Sequence, residues 1–209
     1  MSYLLRVALP DVPGSLGRLA SAIGTAGGNI DAIEIVERRD GVAVDDVFLA
    51  PDQGVMVDSI ISACNALPDV EVLWISRYGA GSNITRDLEV VEAMTARPDS
   101  ASNTLVELLP ATFVVDWAVR VGREGDTGKV LHGSPAAPSE LPEGMPWPED
   151  IVRGRRLEVP GDTGDWLVAG CSIGPDELIV IARRGGPEIL DSEIARLCHL
   201  AALAQSIGS

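Results

Sequence analysis

Residues 9–30 of the chain read LPDVPGSLGRLASAIGTAGGNI. Apolar residues recur in this stretch at the spacing of one helix face, at Leu16, Leu19, Ala20, Ile23 and Ala26. The Pro13-Gly14 pair turns the chain before the helix. Gly27-Gly28 ends it, because glycine adopts the positive φ of a helix C-terminus without steric cost. The stretch therefore predicts one helix, with both ends specified, between two strands.

The segments around this helix predict an α+β domain. The expected elements are strands at 3–9, 29–37, 42–49 and 70–78 and a second helix at 55–67. Asp40-Gly41 is a strong hairpin signal between two of these strands. The resulting order, βαββαβ, is typical of the ferredoxin-like sandwich, which has its helices on one face of an antiparallel sheet. Ile33, Ile35 and Trp74 would make the other face apolar, which favours association.

A glycine- and serine-containing stretch, GAGSN at 79–83, marks a domain boundary. We expect a first domain at 1–79, a hinge at 80–84 and a second domain at 85–209. The second domain is predicted as an antiparallel sheet flanked by its first and last helices, with helices at 84–97, 101–109 and 190–207. Residues 134–150 carry five prolines and predict an irregular loop that covers a cavity or only connects elements.

Composition narrows the classes of partner and the compartment. The formal net charge is −15, which disfavours nucleic acid and anionic membranes as partners. The three cysteines have no CxxC spacing, so we expect buried thiols in a reducing cytoplasm and no disulfide framework. The start of the chain lacks the apolar core of a signal peptide, and no apolar run is long enough to span a bilayer.

Motifs for catalysis, metals and cofactors are missing from the sequence. The glycines of the opening stretch fit neither GxGxxG nor GxxxxGK[ST], and no HExxH or Cys/His cluster is present. Cys198 and His199 are neighbours on a predicted helix and point to different sides, so they make a poor nucleophile–base pair. Asp45 and Asp46 face opposite sides of a strand, where we expect one to be solvated and the other paired or capping. We predict no catalytic residue, metal or cofactor.

The first domain resembles the ACT domain family. The resemblance rests on Asp11-Val12-Pro13-Gly14-Ser15-Leu16 after the first strand, on Gly27-Gly28-Asn29-Ile30 after the first helix, and on the βαββαβ order. Such domains are small-molecule sensors, often for an amino acid, and they usually pair side by side with the ligand at the interface. The resemblance therefore implies a homodimer or a higher homo-oligomer that binds an amino acid.

The resemblance implies a set of candidate ligand-binding residues, and physical chemistry supports the helix start, Asp11 and Asn29 within it. Free N–H groups at the start of the helix can meet a carboxylate. Asp11 can accept a hydrogen bond from an ammonium group, and Asn29 offers both a donor and an acceptor. The candidate site comprises Asp11, Pro13, Gly14, Ser15, Leu16, Asn29 and Ile30. A second interpretation stays open, in which Pro-Gly only turns the chain and Asp11 or Ser15 caps the helix.

The second domain resembles GAF domains, through Thr104–Leu109 of an opening helix, Asp116–Arg120 of a strand and Leu190–Leu197 of the closing helix. Such domains are sensors with a pocket between the sheet and an irregular covering segment. Trp117, Trp147 and Trp166 are the candidates to line it, because aromatic side chains suit a ligand pocket. Core packing of Trp117 and Trp166 is the alternative.

These features predict a non-enzymatic, cytoplasmic regulatory protein. An ACT-like domain would bind an amino acid at a homodimer interface, and a GAF-like domain would sense a second signal or transmit the first. One alternative is a dimerisation module that regulates a partner protein without any ligand. Another is a hydrolytic enzyme that uses the second domain.

Overall fold

The computed structural model of the protein describes residues 2–78, 83–142, 147–148, 151, 154–160 and 165–209. The chain divides into two compact units, Met1–Ser82 and Asn83–Ser209. Of the predicted hinge at 80–84, residues 80–82 lie outside the described residues, whereas Asn83 is already the first residue of a helix. Each unit is described by itself below.

The first unit has the predicted order βαββαβ. Its elements are β1 (Ser2–Pro10), α1 (Ser15–Thr25), β2 (Gly28–Arg39), β3 (Val42–Pro51), α2 (Val57–Asn65) and β4 (Glu71–Tyr78). The four strands form an antiparallel sheet in the order β2-β3-β1-β4. The predicted α+β, ferredoxin-like fold class is thus confirmed.

One core joins both helices of this unit to one face of its sheet. Leu19 and Ile23 from α1 and Ile60 and Cys64 from α2 are fully buried in it. The strands contribute alternate residues, as the two-residue period of a strand requires: Leu5, Val7 and Leu9 from β1, and Ala43, Val47 and Leu49 from β3.

Two adjacent carboxylates of β3 are buried on opposite faces of the sheet. Asp46 receives two hydrogen bonds from the Arg6 guanidinium on β1, at 2.7 and 2.8 Å, so the prediction that one of the two carboxylates is paired is confirmed. Asp45 is 2% exposed, so the prediction that the other one is solvated is wrong. The reason is its register, because Asp45 lies between Val7 of β1 and Ile35 of β2 in the interior of the sheet.

The second unit begins with α3 and closes with α5. Its elements are α3 (Asn83–Ala96), a 3₁₀ turn (Pro98–Ser100), α4 (Ala101–Phe113), β5 (Trp117–Glu124), β6 (Thr127–Gly133), β7 (Arg155–Leu157), β8 (Trp166–Gly174), β9 (Glu177–Arg184) and α5 (Asp191–Ile207). The described strands form an antiparallel sheet in the order β6-β5-β9-β8-β7.

Each face of this second sheet has its own apolar cluster. On one face, α3, α4 and α5 pack on a cluster that includes Ala169, Cys171 and Ile173 of β8. On the other face, Val168 joins a cluster with Trp147, Trp117 and Trp166. The helices are tied to one another by Arg196 of α5, whose Nε donates to Asp87 of α3 at 2.8 Å and whose guanidinium lies over the Phe113 ring of α4.

Two element boundaries of this unit differ from prediction. The predicted helix at 101–109 was expected to end before Pro110. Instead α4 runs through Pro110 to Phe113, since Leu109, Thr112 and Phe113 are buried and the helix ends only at Val114, with φ 52°. The closing helix, predicted from 190, starts at Asp191 after Leu190, whose amide donates to Glu193 at 2.8 Å.

Replacing Gly28 by alanine will destabilise the first unit. A Cβ at this position would lie 2.7 Å from Ile23 Cγ2 and 3.1 Å from Ile60 Cδ1, so the core of α1 and α2 must move. We expect a loss of about 1–3 kcal/mol in the free energy of unfolding, measured by chemical denaturation. Gly24→Ala is the matched control, because a Cβ at Gly24 meets no atom within 4 Å, and helix propensity favours the alanine by about 1 kcal/mol. Equal stability of the two variants would contradict the prediction.

Asp45→Asn will stabilise the chain at neutral pH. Burial raises the pKa of Asp45, a shift that Arg38 opposes and that Asp11 and Asp46 increase. A raised pKa means that the folded state holds the proton more tightly, so unfolding free energy falls as pH rises from 3.8 through the folded-state pKa. Asparagine has no proton to release in this range, so the unfolding free energy of the variant does not fall in this way.

The gain in melting temperature over the wild type should therefore be larger at pH 7 than at pH 4. Thermal unfolding across this range measures it, with Asp58→Asn, an exposed carboxylate on α2, as the control. A variant that is less stable than the wild type at pH 7 would show that the charge of Asp45 is compensated.

Candidate functional site

The loop from β1 into α1 is held in a defined conformation by backbone hydrogen bonds. The amide of Asp11 donates to the carbonyl of Gly41 at 2.8 Å, which anchors the loop to the β2–β3 turn. The Val12 amide donates to Pro10, and the Ser15 amide donates to Val12. Asp11, Pro13 and Gly14 are exposed, whereas Ser15 is buried and Leu16 is half-buried. Most of the predicted binding loop is thus presented at the surface.

The start of α1 is open to an anion. Gly14 precedes the helix with φ 89°, and within the described chain no side chain makes a capping hydrogen bond there. The first intrahelical hydrogen bond runs from the Arg18 amide to the Gly14 carbonyl at 3.0 Å, so the amides of Leu16 and Gly17 lie ahead of it. Neither Asp11 nor Ser15 is the cap that the second interpretation requires.

A cation lies beside this helix start. Arg18 Nη2 donates to Ser15 Oγ at 2.9 Å, and its Nη1 is 3.5 Å from the position that a Cβ on Gly14 would take. The guanidinium therefore adds its charge to the positive end of the helix dipole. Sequence reasoning missed Arg18, although its place one turn into the helix was a usable signal.

The loop also carries an acidic side chain, Asp11, which interacts with charged groups on β2 and β3. Asp11 Oδ1 is 3.6 Å from Arg38 Nε, in a pair whose two side chains are 44% and 59% exposed. An ion pair this exposed stabilises the fold little. Asp11 also acts on the buried Asp45, since its charge raises the pKa of that carboxyl. Oδ1 of Asp45 has no hydrogen-bond partner among the described residues.

Asn29 and Ile30 lie at the opposite end of the sheet from Asp11. Pro10 pairs with Val42 at the first residue of β3, whereas Asn29 pairs with Ala50 near its last. The ten residues of β3 extend over about 30 Å at the usual rise of a strand. Within one chain, a small ligand cannot touch both Asp11 and Asn29. Asn29 is exposed and Ile30 is half-buried.

A wide, open groove of about 1000 Å³ separates α1 from α2 on the surface of the first unit. Gly14 and Arg18 lie at its start, next to the open helix end. The rest of its lining is mostly small: Gly17, Ser21, Ala22, Thr25, Ala26, Ala63, Ala66 and Leu67. Of the seven predicted site residues, Gly14 alone belongs to the lining that the described residues define.

The second unit contains a cavity of about 430 Å³ between its sheet and the proline-rich segment. The sheet contributes Trp117, Val168, Val180 and Trp166. The described start of the proline-rich segment contributes Ala136, Ala137, Pro138, Glu140, Leu141 and Pro142, and Val159 completes the lining. This segment therefore covers a cavity, one of the two roles expected for it.

The three predicted tryptophans do not share one site. The rings of Trp117 and Trp166 have centroids 5.8 Å apart and are tilted by 52°, and both line the cavity. Trp147 is 8% exposed and does not belong to the lining among the described residues. Its amide donates to Asp126 at 2.8 Å, and Arg123 lies over its ring, so it packs on the β5–β6 hairpin.

The described part of the chain contains no helix that is long and apolar enough to cross a membrane. Among the same residues, no three His, Cys, Asp or Glu side chains converge as a metal site would require. The start of α1 presents charge and amide groups around Gly14, and the cavity of the second unit presents apolar surface with aromatic rings around Trp117.

Solved structures similar to this chain include GAF domains. The GAF domain of nlh2 from A. aeolicus, in an inactive state, is 10% identical, with a TM-score of 0.45 over 60% of this chain and 97% of that one. A GAF domain from Pseudomonas syringae pv. tomato is 15% identical, with a TM-score of 0.44 over 59% and 85% of the two chains. TM-scores this low carry no inference about function.

A protein of unknown function from Galdieria sulphuraria is similar over 95% of this chain and 90% of its own, with 15% identity and a TM-score of 0.30. No curated protein sequence matches the chain. Residues 3–60 match the family model of the ACT domain, which confirms the resemblance predicted from the two motifs that flank α1.

Proposed function

We propose that the chain is a non-enzymatic, cytoplasmic regulatory protein whose first unit binds an amino acid or a related small molecule. The ACT family match over residues 3–60 supports the sensor class. The observation that carries the proposal is the exposed start of α1, where Gly14 leaves the helix uncapped in the described chain and Arg18 adds a cation. Helix amides and a guanidinium are suitable partners for a carboxylate.

The charges around the loop favour a zwitterionic ligand. A carboxylate would lie on the amides of Leu16 and Gly17, and an ammonium group would lie toward Asp11. Burial is the main cause of the raised pKa of Asp45, and the charge of Asp11 adds to it, so a cation between the two carboxylates would relieve that part of the repulsion. Gly14 matters for access, because any side chain there would stand between the ligand and the backbone.

The proposed site needs two copies of the chain. Asp11 and Asn29 lie at opposite ends of β3, so a ligand that uses both takes Asp11 from one copy and Asn29 from the other. In a twofold symmetric dimer such a site occurs twice. This requirement supports a homodimer as the binding species.

Thermal-shift and calorimetric screening of the full chain with the twenty amino acids tests the proposal. We expect at least one to raise the melting temperature, because a ligand that binds the folded state alone stabilises it. Asp11→Asn should weaken that ligand by about tenfold or more, equivalent to 1.4 kcal/mol. Asp58→Asn, which changes another exposed carboxylate near a helix start, should not. No shift with any amino acid would refute amino-acid binding.

Mixing two defective variants tests the shared site. Asp11→Ala and Asn29→Ala should each lose binding as homodimers. In a refolded equimolar mixture, about half of the dimers contain one chain of each variant, and each such dimer has one intact site and one doubly defective site. The mixture should therefore regain about a quarter of the wild-type sites. Calorimetric stoichiometry measures this. A mixture without any binding would exclude a site shared by Asp11 and Asn29.

The alternative of a ligand-free dimerisation module is favoured by one contact: Arg38 already lies beside Asp11. This alternative predicts a dimer by sedimentation whose stability no amino acid changes and whose assembly Asp11→Ala leaves intact.

The cavity of the second unit is suited to an apolar ligand with an aromatic ring. Its volume of about 430 Å³ lies within the range of small-molecule sites, and Trp117 and Trp166 offer ring faces. Binding of anilinonaphthalene sulfonate to the full chain tests this cavity, with energy transfer from tryptophan to the probe as the signal. Ala137→Leu should fill the cavity and reduce the affinity by about tenfold. Ala202→Leu, on the exposed face of α5, should leave it unchanged. Equal affinities of Ala137→Leu and the wild type would show that the probe binds outside the cavity.

A further inference from the structure

Two cysteines that are far apart in sequence meet in the helix-covered core of the second unit. Cys171 lies on β8 and Cys198 lies on α5, and each thiol shifts the pKa of the other. Both are free thiols, and Cys198 packs against the cluster that contains Cys171.

The backbone around Cys198 independently places its sulfur against β8. A Cβ on Gly154 would lie 2.7 Å from Cys198 Sγ and 3.1 Å from the carbonyl oxygen of Gly170, the residue before Cys171. Gly154 has φ 76°, a conformation that L residues rarely adopt. The chain therefore passes directly over the Cys198 sulfur at a position where glycine is required by space and by backbone angle.

The two thiols differ in a way that assigns each a role. Cys198 is half-buried, whereas Cys171 is 1% exposed. The hydrogen bond from the Cys171 thiol lowers the pKa of Cys198 to about 7, and the same bond, with burial, raises the pKa of Cys171. Thiolates are the nucleophilic form of cysteine, so Cys198 is the thiol that reacts first.

We propose that Cys171 and Cys198 form a redox-sensitive dithiol that hydrogen peroxide converts into a disulfide. The Cys198 thiolate attacks one peroxide oxygen, the O–O bond breaks, and the departing hydroxide takes up a proton to leave as water. The sulfur of Cys171 then attacks the sulfenic sulfur of Cys198. The S–O bond breaks, and the hydroxide released takes the Cys171 proton, giving a second water. Two thiols are oxidised by two electrons, and one peroxide is reduced to two waters.

Cys64 provides an internal comparison within the same chain. It is fully buried in the first unit, and burial raises its pKa to about 11. We therefore expect it to stay reduced while the other two cysteines react. The modification is independent of the amino-acid site proposed for the first unit, since it involves α5 and β8 of the second.

The test is oxidation of the full chain by hydrogen peroxide, followed by intact mass and peptide mapping. We expect a peptide pair linked through Cys171 and Cys198, reversed by dithiothreitol, and a fall from three free thiols to one. The reduced and oxidised forms should differ in melting temperature, the oxidised form being more stable because the bond ties α5 to β8.

Cysteine variants distinguish the reaction of Cys198 with peroxide from the later attack of Cys171 on the sulfenic acid. Cys198→Ser should slow thiol loss by about tenfold or more, since the reactive thiolate is gone. Cys171→Ser should stop at a sulfenic acid on Cys198, which dimedone traps. Cys64→Ser should behave as the wild type. A wild-type chain that yields no peptide linked through Cys171 and Cys198 would overturn the proposal, as would a Cys198→Ser variant that is oxidised at the wild-type rate. The wild-type result decides the matter even if a variant does not fold.

Discussion

Strand β3 pairs with β1 along one side and with β2 along the other, and these two pairings determine where each candidate ligand group lies. The end of β1 meets the start of β3, and the start of β2 meets its end. Asp11 follows the first junction and Asn29 opens the second. The helix between them, α1, must run back across the sheet, so its amino end lies near Asp11 and its carboxyl end near Asn29. A ligand site with both groups is therefore a property of an assembly.

The same strand brings charge into the interior. Because neighbouring residues face opposite sides, Asp45 and Asp46 enter different environments. Asp46 is neutralised by Arg6 in a buried pair with two hydrogen bonds, whereas Asp45 keeps an oxygen without a partner in the described chain. A buried carboxylate without compensation costs folding energy. Arg38 offsets part of this cost, because its charge opposes the rise that burial causes in the pKa of Asp45.

The local parts of this architecture were predictable, and the long-range parts were not. The ends of α1 follow from Pro13-Gly14 and Gly27-Gly28, since these residues act through their own backbone angles and sterics. The distance between Asp11 and Asn29 depends on strand register, which short stretches of sequence do not specify. Pro110 was misread as a helix end because burial of Phe113 outweighs one lost backbone hydrogen bond. The meeting of Cys171 with Cys198 depends on how α5 packs on β8, and no spacing motif signals it.

In the second unit, strand β8 contributes residues both to the cavity and to the helix-covered core that contains Cys171. Trp166 and Val168 of β8 face the cavity, whereas Ala169 and Cys171 face the helices. The two sets alternate along a single backbone, so a bond formed on the helix side constrains the residues that line the cavity on the other. Such a bond changes the affinity of the cavity only if it stabilises the ligand-bound and the ligand-free forms of the chain unequally. Measuring probe affinity in the reduced and the oxidised chain would give that difference directly, and equal affinities would show that the two faces of β8 respond independently.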